Sequence, residues 1–240
     1  MKKITQQNNF LSLIENIIRS NIYLFIFFRY ITNKFFAKVI YETDFKILFY
    51  LKNNKFFSKK AIIDIGANDG ISIKAIRKFV ENKIFSFEPN KNNFDKIKKL
   101  SQKINNLRTY NFGLSNKNSK KISLFEAHYK KFHLSPFDSL AKKDVLKHLK
   151  NSLFIKDLTK KIIIKKSVIK LKKLDNFNLL PCFIKIDIQG HEYECVMGAL
   201  KTIKKHTPIL MIEFDEKIID KIFKVLRKSG YLKYYFLANK

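Results

Sequence analysis

The sequence of 240 residues is short of several residue types, and each shortage limits what the chain can be. It has no tryptophan, two cysteines, four prolines and six glycines. Cys182 and Cys195 have no second cysteine pair to complement them, which excludes a zinc ribbon and favours a reducing compartment. Neither glycine nor proline occurs before Gly66, so residues 1–60 lack the usual turn markers and read as a helical N-terminal extension.

Long apolar runs are also missing, which excludes an ordinary transmembrane helix, since a span needs about 18 or more such residues. The longest run is Ile22–Phe28, between Arg19 and Arg29, and no small-residue cleavage site of a signal peptide follows it. Two interpretations of this run stay open. It can lie at a membrane interface, or it can pack its aromatic face on the domain core, which we favour. We therefore expect a cytoplasmic protein that can be peripheral at the inner face of the membrane.

Acidic residues are scarce, with 20 Asp and Glu against 49 Lys and Arg and a formal net charge of +29. The excess is almost all lysine, and the lysines are scattered, whereas phosphate-binding surfaces usually cluster their charge. We therefore expect a solvated lysine surface and no specific nucleic-acid site. An RNA-binding protein or RNA methyltransferase is the alternative, although no stacking platform for bases is evident. An anionic substrate or membrane surface remains compatible with the charge.

What the chain does have is an alternation of apolar strands and amphipathic helices from residue 61 onward. Strands are predicted at 61–65, 84–87, 107–112, 183–188, 209–214 and 231–237, with helices at 71–80, 94–100, 192–203 and 217–228 between them. Residues 113–180 break this rhythm and read as an inserted variable segment with two antiparallel strands, at 121–125 and 162–171. The pattern predicts an α/β domain over 61–240 with a mostly parallel sheet flanked by helices. Its ligand should lie at the carboxyl ends of the strands.

The stretch Ala61–Gly70 (AIIDIGANDG) places two glycines and two aspartates directly behind the first strand. Gly66 permits a tight turn and Gly70 permits close packing of the following helix. Glu88 ends the next strand, where a carboxylate can accept hydrogen bonds from ribose hydroxyls. Asp64 and Asp69 would repel a pyrophosphate, whereas the ammonium and sulfonium groups of S-adenosylmethionine favour carboxylates. The sequence therefore favours S-adenosylmethionine over a dinucleotide.

A second cluster of titratable residues lies in Ile184–Glu192 (IKIDIQGHE). Asp187 ends a strand, and His191 and Glu192 open the next helix, so all three are candidates for a site at the same sheet edge. The alternative is structural, with His191 as a capping or surface residue and Glu192 as a first-turn acid. Glu213 ends the following strand and is a further candidate for substrate binding.

These motifs together resemble the FkbM family of methyltransferases over about residues 60–215. They are DIGANDG, FEPN, Gly113–Ser115, Leu174-Asp175, IKIDIQGHE, Gly198-Ala199 and Pro208 with Ile212-Glu213. The resemblance implies a class I methyltransferase fold of Rossmann-like type, S-adenosylmethionine as cofactor, and methyl transfer to oxygen. Acceptors in the family are often sugar hydroxyls of surface glycans or hydroxyls of natural products.

By the same resemblance, the methionine part of the cofactor would lie against Asp64, Gly66, Asn68 and Gly70, and its ribose against Glu88. His191 and Asp187 would face the acceptor. We expect His191 to act as the base and Asp187 to position the acceptor or His191. We expect no metal at this site. The sequence departs from the family pattern in two places. Gln189 stands where many members have Glu. A single strand is predicted after the last helix, where class I methyltransferases usually have a two-strand hairpin. The identity of the acceptor and the oligomeric state stay open.

Overall fold

The structure is a computed structural model, and it describes residues 16–31, 42–154, 158–213 and 216–232. Residues 16–20 are helical. The further helices and strands in chain order are α1 (Ile22–Ile31), α2 (Glu42–Leu51), α3 (Lys55–Ser58), β1 (Ala61–Ile65), α4 (Ile71–Phe79), β2 (Ile84–Phe87), α5 (Lys91–Ser101), β3 (Leu107–Tyr110), β4 (Gly113–Leu114), β5 (Ser119–Tyr129), β6 (Phe132–His133), α6 (Lys142–Ser152), α7 (Leu158–Lys161), β7 (Ile162–Lys172), β8 (Pro181–Ile186), α8 (Glu192–Met197), α9 (Leu200–His206), β9 (Ile209–Ile212) and α10 (Glu216–Arg227). Short 3₁₀ turns lie at Ser135–Phe137 and Leu174–Asn176.

Five of the strands form the parallel sheet that the sequence pattern predicts. Their order is β3-β2-β1-β8-β9, and each neighbouring pair is parallel. Strands β1, β2 and β8 are buried throughout, as expected for strands covered by helices on both faces. The strand order reverses between β1 and β8, so the loops that follow these two strands diverge and leave a crevice between them. The mostly parallel α/β class is thereby confirmed.

Two apolar layers cover the faces of this sheet. One packs β1, β2 and β8 against α8, α9 and α10 and includes Val196 and Ile203. The other packs the opposite face against α2, α4 and α5 and includes Phe45 and Leu48. Alternate residues of β1 serve the two layers, since Ile63 belongs to the first and Ile62 to the second. Helix α2, within the predicted extension of residues 1–60, thus contributes to the core of the sheet.

Residues of the predicted variable segment build a second sheet with the order β4-β7-β5-β6. The long pair β5 and β7 is antiparallel, as predicted for 121–125 and 162–171, but both strands are longer than expected. Helix α6 packs on this sheet through Val145 and Leu149. Helix α1 covers the same apolar layer with Ile22, Phe25 and Ile26.

Some boundaries differ from the sequence prediction. The helix expected over 192–203 is two helices, α8 and α9, because the Gly198 carbonyl accepts the backbone N–H of Asp175, and the Asp175 carboxylate accepts the N–H groups of Lys201 and Thr202 at the start of α9. The third strand ends at Tyr110 rather than residue 112. Tyr231 and Leu232 are not in a strand, and the rest of the predicted terminal strand lies outside the described residues, as do residues 1–15 and 32–41 of the predicted helical extension. None of the described helices combines the length and hydrophobicity that crossing a bilayer requires.

Candidate active site

A cavity of about 310 Å³ lies at the carboxyl edge of the parallel sheet, a volume within the range typical of small-molecule sites. One wall comes from the loops after β1, β2, β8 and β9, and the other from the second sheet and the 3₁₀ turn near residue 136. The residues that line the cavity are Ile65, Gly66, Asn68, Phe87, Glu88, Pro89, Asn90, Asn93, Gly113, Leu114, Leu124, Ser135, Pro136, Asp138, Ser139, Leu140, Ile169, Leu171, Asp187, Ile188, Gln189, His191 and Glu213.

The loop after β1 enters this cavity through Gly66 and Asn68. Gly66 has a φ of +76°, and a Cβ there would come within 1.9 Å of the Asp187 carbonyl oxygen, so only glycine fits between the β1 and β8 loops. Asn68 also has a positive φ, +50°. The backbone N–H of Asn68 donates to Glu88 Oε2 at 2.8 Å, and its side-chain oxygen accepts from Ser135 at 2.9 Å. Asn68 therefore joins the two walls of the cavity.

Asp64 and Gly70 lie outside the cavity lining. Asp64 is fully buried in β1, and its Oδ2 accepts a 2.6 Å hydrogen bond from the Ser72 hydroxyl. Gly70 precedes α4 with a φ of +85°, and a Cβ there would press on Leu100, which agrees with a role in close packing. Asp64 and Gly70 thus support the loop after β1 without lining the cavity.

Lys185 supplies the positive charge beneath the cavity, and the sequence analysis did not single it out. Its ammonium donates to the Gly66 carbonyl at 3.0 Å and lies 3.4 Å from Asp64 Oδ1 and 3.3 Å from Asp187 Oδ2. Burial alone would lower the pKa of Lys185, but the charges of Asp187 and Asp64 outweigh it and raise that pKa above its usual value. The signal was present in the sequence, since a lysine inside a fully buried strand needs carboxylates as partners.

Glu88 presents a buried carboxylate at the end of β2. It is 6% exposed, and its two oxygens accept the backbone N–H groups of Asn68 and Asn90, each at 2.8 Å. Burial raises the pKa of Glu88 to about 8, although the two backbone hydrogen bonds oppose that shift. Each carboxylate oxygen keeps a second lone pair with which it can accept a ligand hydroxyl.

The loop after β8 turns sharply through two residues with positive φ, Gln189 (+55°) and Gly190 (+95°). Glu192 stabilises this turn, because its Oε1 accepts hydrogen bonds from the backbone N–H groups of Ile188 and Gly190 at 3.1 Å each. Glu192 is 2% exposed and does not line the cavity. The turn directs His191 and Asp187 towards the open space instead.

His191 lines the cavity between two partners. Its Nε2 lies 2.9 Å from the Ser115 hydroxyl, and its Nδ1 lies 3.5 Å from Glu194 Oε2. Burial lowers the pKa of His191 below its ordinary value, partly opposed by Glu194. The imidazole is therefore neutral at pH 7, with one ring nitrogen able to accept a proton.

Asp187 and Glu213 form an acidic pair at the rim. The Gln189 side-chain amide donates to both, at 3.1 Å to the oxygens of Glu213 and 3.5 Å to Asp187 Oδ1. The Glu213 residue is exposed, yet desolvation of its carboxyl group within the cleft and repulsion by Asp187 raise its pKa to about 8. Burial would raise the pKa of Asp187, but Lys185 outweighs it and keeps that pKa below its ordinary value. The pair therefore contains one firmly ionised carboxylate and one readily protonated one.

The sequence analysis also missed the residues of the far wall, which come together only through the second sheet. Leu124, Ile169 and Leu171 belong to one small apolar cluster of that sheet, and all three line the cavity. Asn90 accepts from the first N–H groups of α5 and donates through Nδ2 to Asp138 at 3.0 Å. No local sequence signal marks the three apolar positions as site residues, whereas Asn90 belongs to the FEPN motif.

Comparison with known proteins identifies the domain that carries this cavity. A family model described as the methyltransferase FkbM domain matches residues 64–233, which is most of the chain. The chain belongs to the FkbM methyltransferase family. The resemblance inferred from the motifs is therefore confirmed. No curated protein sequence matches the chain.

Two solved structures are similar to this FkbM protein, though only distantly. Methyltransferase FkbM from Methylobacillus flagellatus KT is 16% identical with a TM-score of 0.46, and the match covers 73% of this chain and 39% of that one. Precorrin-6y C5,15-methyltransferase from Geobacter metallireducens GS-15 is 12% identical with a TM-score of 0.41, over 80% of this chain and 70% of that one. The chain thus spans about two fifths of the length of the first protein, and neither likeness carries an argument about the site.

The FkbM cavity is lined by carboxyl groups, although the whole protein is strongly basic. Its titratable lining residues are Glu88, Asp138, Asp187, Glu213 and His191. Although the sequence holds 49 lysines and arginines, none that the structure describes lines the cavity. Asp187 is ionised, and a bound cation would favour the ionised forms of Glu88 and Glu213, so such a site suits a cationic ligand better than a polyphosphate.

Proposed function

We propose that the protein is an S-adenosylmethionine-dependent O-methyltransferase that methylates a hydroxyl group of a sugar in a surface glycan or related metabolite. The observation that carries this proposal is the acidic lining of the cavity in a strongly basic FkbM protein. S-adenosylmethionine is cationic at its sulfonium and amino groups, so an acidic cleft stabilises it. NAD carries a pyrophosphate, which the same carboxylates would repel.

The residues present fit this cofactor. Glu88 would accept the ribose hydroxyls, since its carboxylate is fixed by two backbone N–H groups and still has free lone pairs. Gly66 and Asn68 would contact the methionine part, because their loop forms the adjoining wall. When bound, S-adenosylmethionine supplies an electrophilic methyl group on its sulfonium. Asp64 and Gly70 would act through the loop they support, since neither lines the cavity.

The acceptor hydroxyl must lose a proton, and we assign that proton to His191. Its ring is neutral at pH 7 because burial lowers its pKa. It would take up the proton at Nε2 once that atom gives up its contact with the buried Ser115 hydroxyl, and Glu194 would stabilise the resulting charge near Nδ1. A positioned base of this kind typically contributes about 10²–10⁴-fold to the rate. Asp187 is a poor base because Lys185 stabilises its ionised form, so we assign it to positioning the acceptor.

A sugar suits the outer part of the cavity because hydrogen-bonding groups lie there next to a small apolar surface. Glu213 and Gln189 offer acceptors and donors at the rim, and Ser135 and Ser139 face them from the other wall. Leu140 and Ile169 give the apolar surface. Glu192 would contribute indirectly, by holding the turn that carries His191.

Calorimetric titration with S-adenosylmethionine, its demethylated product and NAD tests the cofactor assignment. We expect the first two to bind and NAD not to bind. Glu88→Ala should weaken binding by about 1.5–3 kcal/mol, the scale of a hydrogen bond to a charged group. Glu81→Ala is the matched control, since the Glu81 side chain is 83% exposed and lies far from the cavity lining. Equal affinities in these two variants would remove Glu88 from the site, and preferential binding of NAD would overturn the proposal.

Methylation of RNA is the alternative that the net charge suggests, and the acidic cavity argues against it. RNA binding to a lysine surface alone should be weak, nonspecific and steeply salt-dependent. Methyl transfer from labelled S-adenosylmethionine to purified RNA and to a surface-glycan extract distinguishes the two. Transfer to RNA that persists at physiological salt would overturn the glycan assignment.

We also propose that α1 contacts the inner face of an anionic membrane. Its inward residues pack on the second sheet, while Tyr23, Leu24, Phe27, Phe28 and Tyr30 are each at least 41% exposed. An exposed aromatic row on a chain of net charge +29 fits an anionic lipid surface. Flotation with phosphatidylglycerol-containing vesicles should recover the protein, and Phe27→Ser with Phe28→Ser should reduce recovery. Equal recovery of the variant would refute this contact.

A further inference from the structure

A cluster of two histidines and two carboxylates lies in the second sheet, and the proposed methyl transfer does not use it. Glu126 and His128 are two positions apart in β5 and therefore share one face of the strand. His133 in β6 is the register partner of His128. Asp138 follows the 3₁₀ turn and reaches the same place. Four potential metal ligands thus converge from three segments of the chain.

The donor atoms of this cluster have the spacing of a metal site. His128 Nε2 lies 3.5 Å from Glu126 Oε2, and His133 Nε2 lies 3.8 Å from the same oxygen. His133 Nε2 also lies 2.9 Å from Asp138 Oδ2. The ligand atoms of Glu126, His128 and His133 all lie within 4.8 Å of one another. Ligands at about 2.1 Å from a tetrahedral ion stand about 3.4 Å apart, so Glu126, His128 and His133 need only small movements, whereas Asp138, which is outside the 4.8 Å group, must move further towards the centre.

The cluster is buried and contains an unused nitrogen. Glu126 is 6% and His128 is 7% exposed. His128 Nε2 is a buried atom without a hydrogen-bond partner, although it lies beside Glu126. Buried polar atoms are nearly always partnered by protein, water or an ion, so an ion bound at this place would supply the partner that the nitrogen lacks.

Each carboxylate is held by an outer partner through one oxygen, which leaves the other oxygen for the centre. The Ser167 hydroxyl donates to Glu126 Oε1, while Oε2 faces both histidines. Asn90 Nδ2 donates to Asp138 Oδ2 at 3.0 Å, while Oδ1 faces His133 Nε2 at 2.9 Å. Outer-shell donors of this kind orient the ligands of metal sites in proteins.

We propose that Glu126, His128, His133 and Asp138 bind a zinc ion. Two imidazoles and two carboxylates are ligands that zinc accepts, and the two negative charges balance a divalent cation. Magnesium and calcium prefer oxygen ligands alone, so the histidines disfavour them. Four protein ligands fill a tetrahedral shell, which is the arrangement of structural zinc sites.

The bound ion would fix the wall of the candidate active site. Asp138 and Asn90 both line the cavity, and the backbone N–H of Asn90 donates to Glu88. A zinc ion on Asp138 would therefore hold the 3₁₀ turn against the start of α5. The site would stabilise the wall without touching the reacting groups.

Metal analysis of the tag-free full chain, purified from zinc-supplemented cells, tests the proposal. Mass spectrometry of the metals should find about one zinc per chain, as a four-ligand structural site predicts. After removal of metal by a chelator, Zn²⁺ should bind in calorimetry and raise the melting temperature. Cobalt added in its place should give the intense visible absorption of a tetrahedral site. Iron or manganese in place of zinc would overturn the choice of metal.

Three variants should differ in how tightly they bind zinc. His128→Ala removes a ligand and should weaken zinc binding by more than about 100-fold, whereas Ser167→Ala removes an outer partner and should weaken it by roughly 10-fold. His206→Ala is the control, because His206 ends α9 away from the cluster, and it should bind as the wild type does. If His128→Ala does not fold, Glu126→Gln, which keeps the shape of the side chain, serves in its place. A wild-type protein that is folded, binds no zinc and melts at the same temperature with and without Zn²⁺ would show that the cluster is only a hydrogen-bond network.

Discussion

Substitution of Lys185 by methionine tests whether a buried cation holds together the floor of the FkbM active site. Lys185 is 7% exposed and lies opposite Asp64 in the register of β8 and β1. Methionine has nearly the same length and fills the same space without the charge. The substitution leaves Asp64 fully buried with Ser72 as its donor, and Asp64 Oδ1 has no hydrogen bond even in the wild type.

The magnitude follows from leaving buried charges uncompensated. Removing one partner of a buried ion pair typically costs about 3–5 kcal/mol, because the remaining charge is desolvated without compensation. Asp187 loses the same cation, although it can still reach solvent through the cavity. We therefore expect Lys185→Met to lower the free energy of unfolding by about 3–5 kcal/mol at neutral pH, a large part of the usual 5–15 kcal/mol.

The effect should depend on pH in a definite direction. In the wild type, Lys185 lowers the pKa of Asp187 in the folded state. The Asp187 carboxylate therefore stabilises the fold at pH values above its unfolded pKa of about 3.9. That stability is lost as the pH falls through the lower pKa of the folded state. In the variant, Asp187 lacks its cation and burial should raise its pKa above about 3.9. Its destabilisation is then full at neutral pH and is relieved as the pH falls towards about 4. The gap between wild type and variant should therefore shrink on acidification.

Urea denaturation followed by circular dichroism, at neutral pH and about pH 5, measures both quantities. Lys91→Met is the matched control, since Lys91 makes an exposed ion pair with Asp95 one helical turn away, and such pairs contribute about 0.3–0.5 kcal/mol. Adding Asp64→Asn to Lys185→Met should recover part of the lost stability. If Lys185→Met costs no more than Lys91→Met, or its cost is the same at both pH values, the reasoning about the buried charges is refuted.

Two further predictions concern the loops of the site. Gly66→Ala should both lower the melting temperature and weaken S-adenosylmethionine binding, because the added Cβ would lie 1.9 Å from the Asp187 carbonyl oxygen. The positive φ at this position also costs residues other than glycine about 1–3 kcal/mol. An unchanged melting temperature would contradict this prediction. His191→Ala should lower kcat at least about 100-fold with little change in cofactor affinity, while His206→Ala should keep wild-type kcat. Because burial lowers the pKa of His191, the wild-type rate should fall on acidification only below about pH 6.5, and a variant that keeps most of its activity would exclude His191 as the base.

The parts of the fold that local pattern determines were predictable. Strands β1, β2 and β8 are short apolar runs bounded by glycine, proline or charged residues, and a helix pattern follows β1 directly. Parallel pairing then follows from the alternation of strands and helices. The break between α8 and α9 was not predictable, because it depends on the hydrogen bonds of Gly198, Lys201 and Thr202 with Asp175, which belongs to a different part of the chain.

The candidate site likewise contains residues whose positions the sequence predicts and residues whose positions it does not. Gly66, Asn68, Glu88, Asp187 and His191 directly follow or end strands, so the sheet edge gathers them whatever the rest of the chain does. Asp64 and Glu192 stand in the same motifs, yet burial gives them supporting positions, and local sequence does not distinguish a residue under the turn from one on it. The zinc-binding hypothesis depends on the β5–β6 pairing, because His133 meets His128 only across that hairpin.

The net charge shows why location matters more than composition. At physiological salt, charges separated by more than about 8 Å are largely screened, so scattered exposed lysines contribute little to the potential inside a cleft. The potential felt by a ligand there depends on the groups within contact distance, of which Asp187 is firmly ionised, while Glu88 and Glu213 ionise more readily beside a cation. Lys185 reduces this negative potential from below without reaching the lining, because its charge is divided between Asp64 and Asp187. A protein of net charge +29 can therefore present an acidic cavity to a cationic cofactor and a basic exterior to an anionic membrane, and the two interactions need not compete.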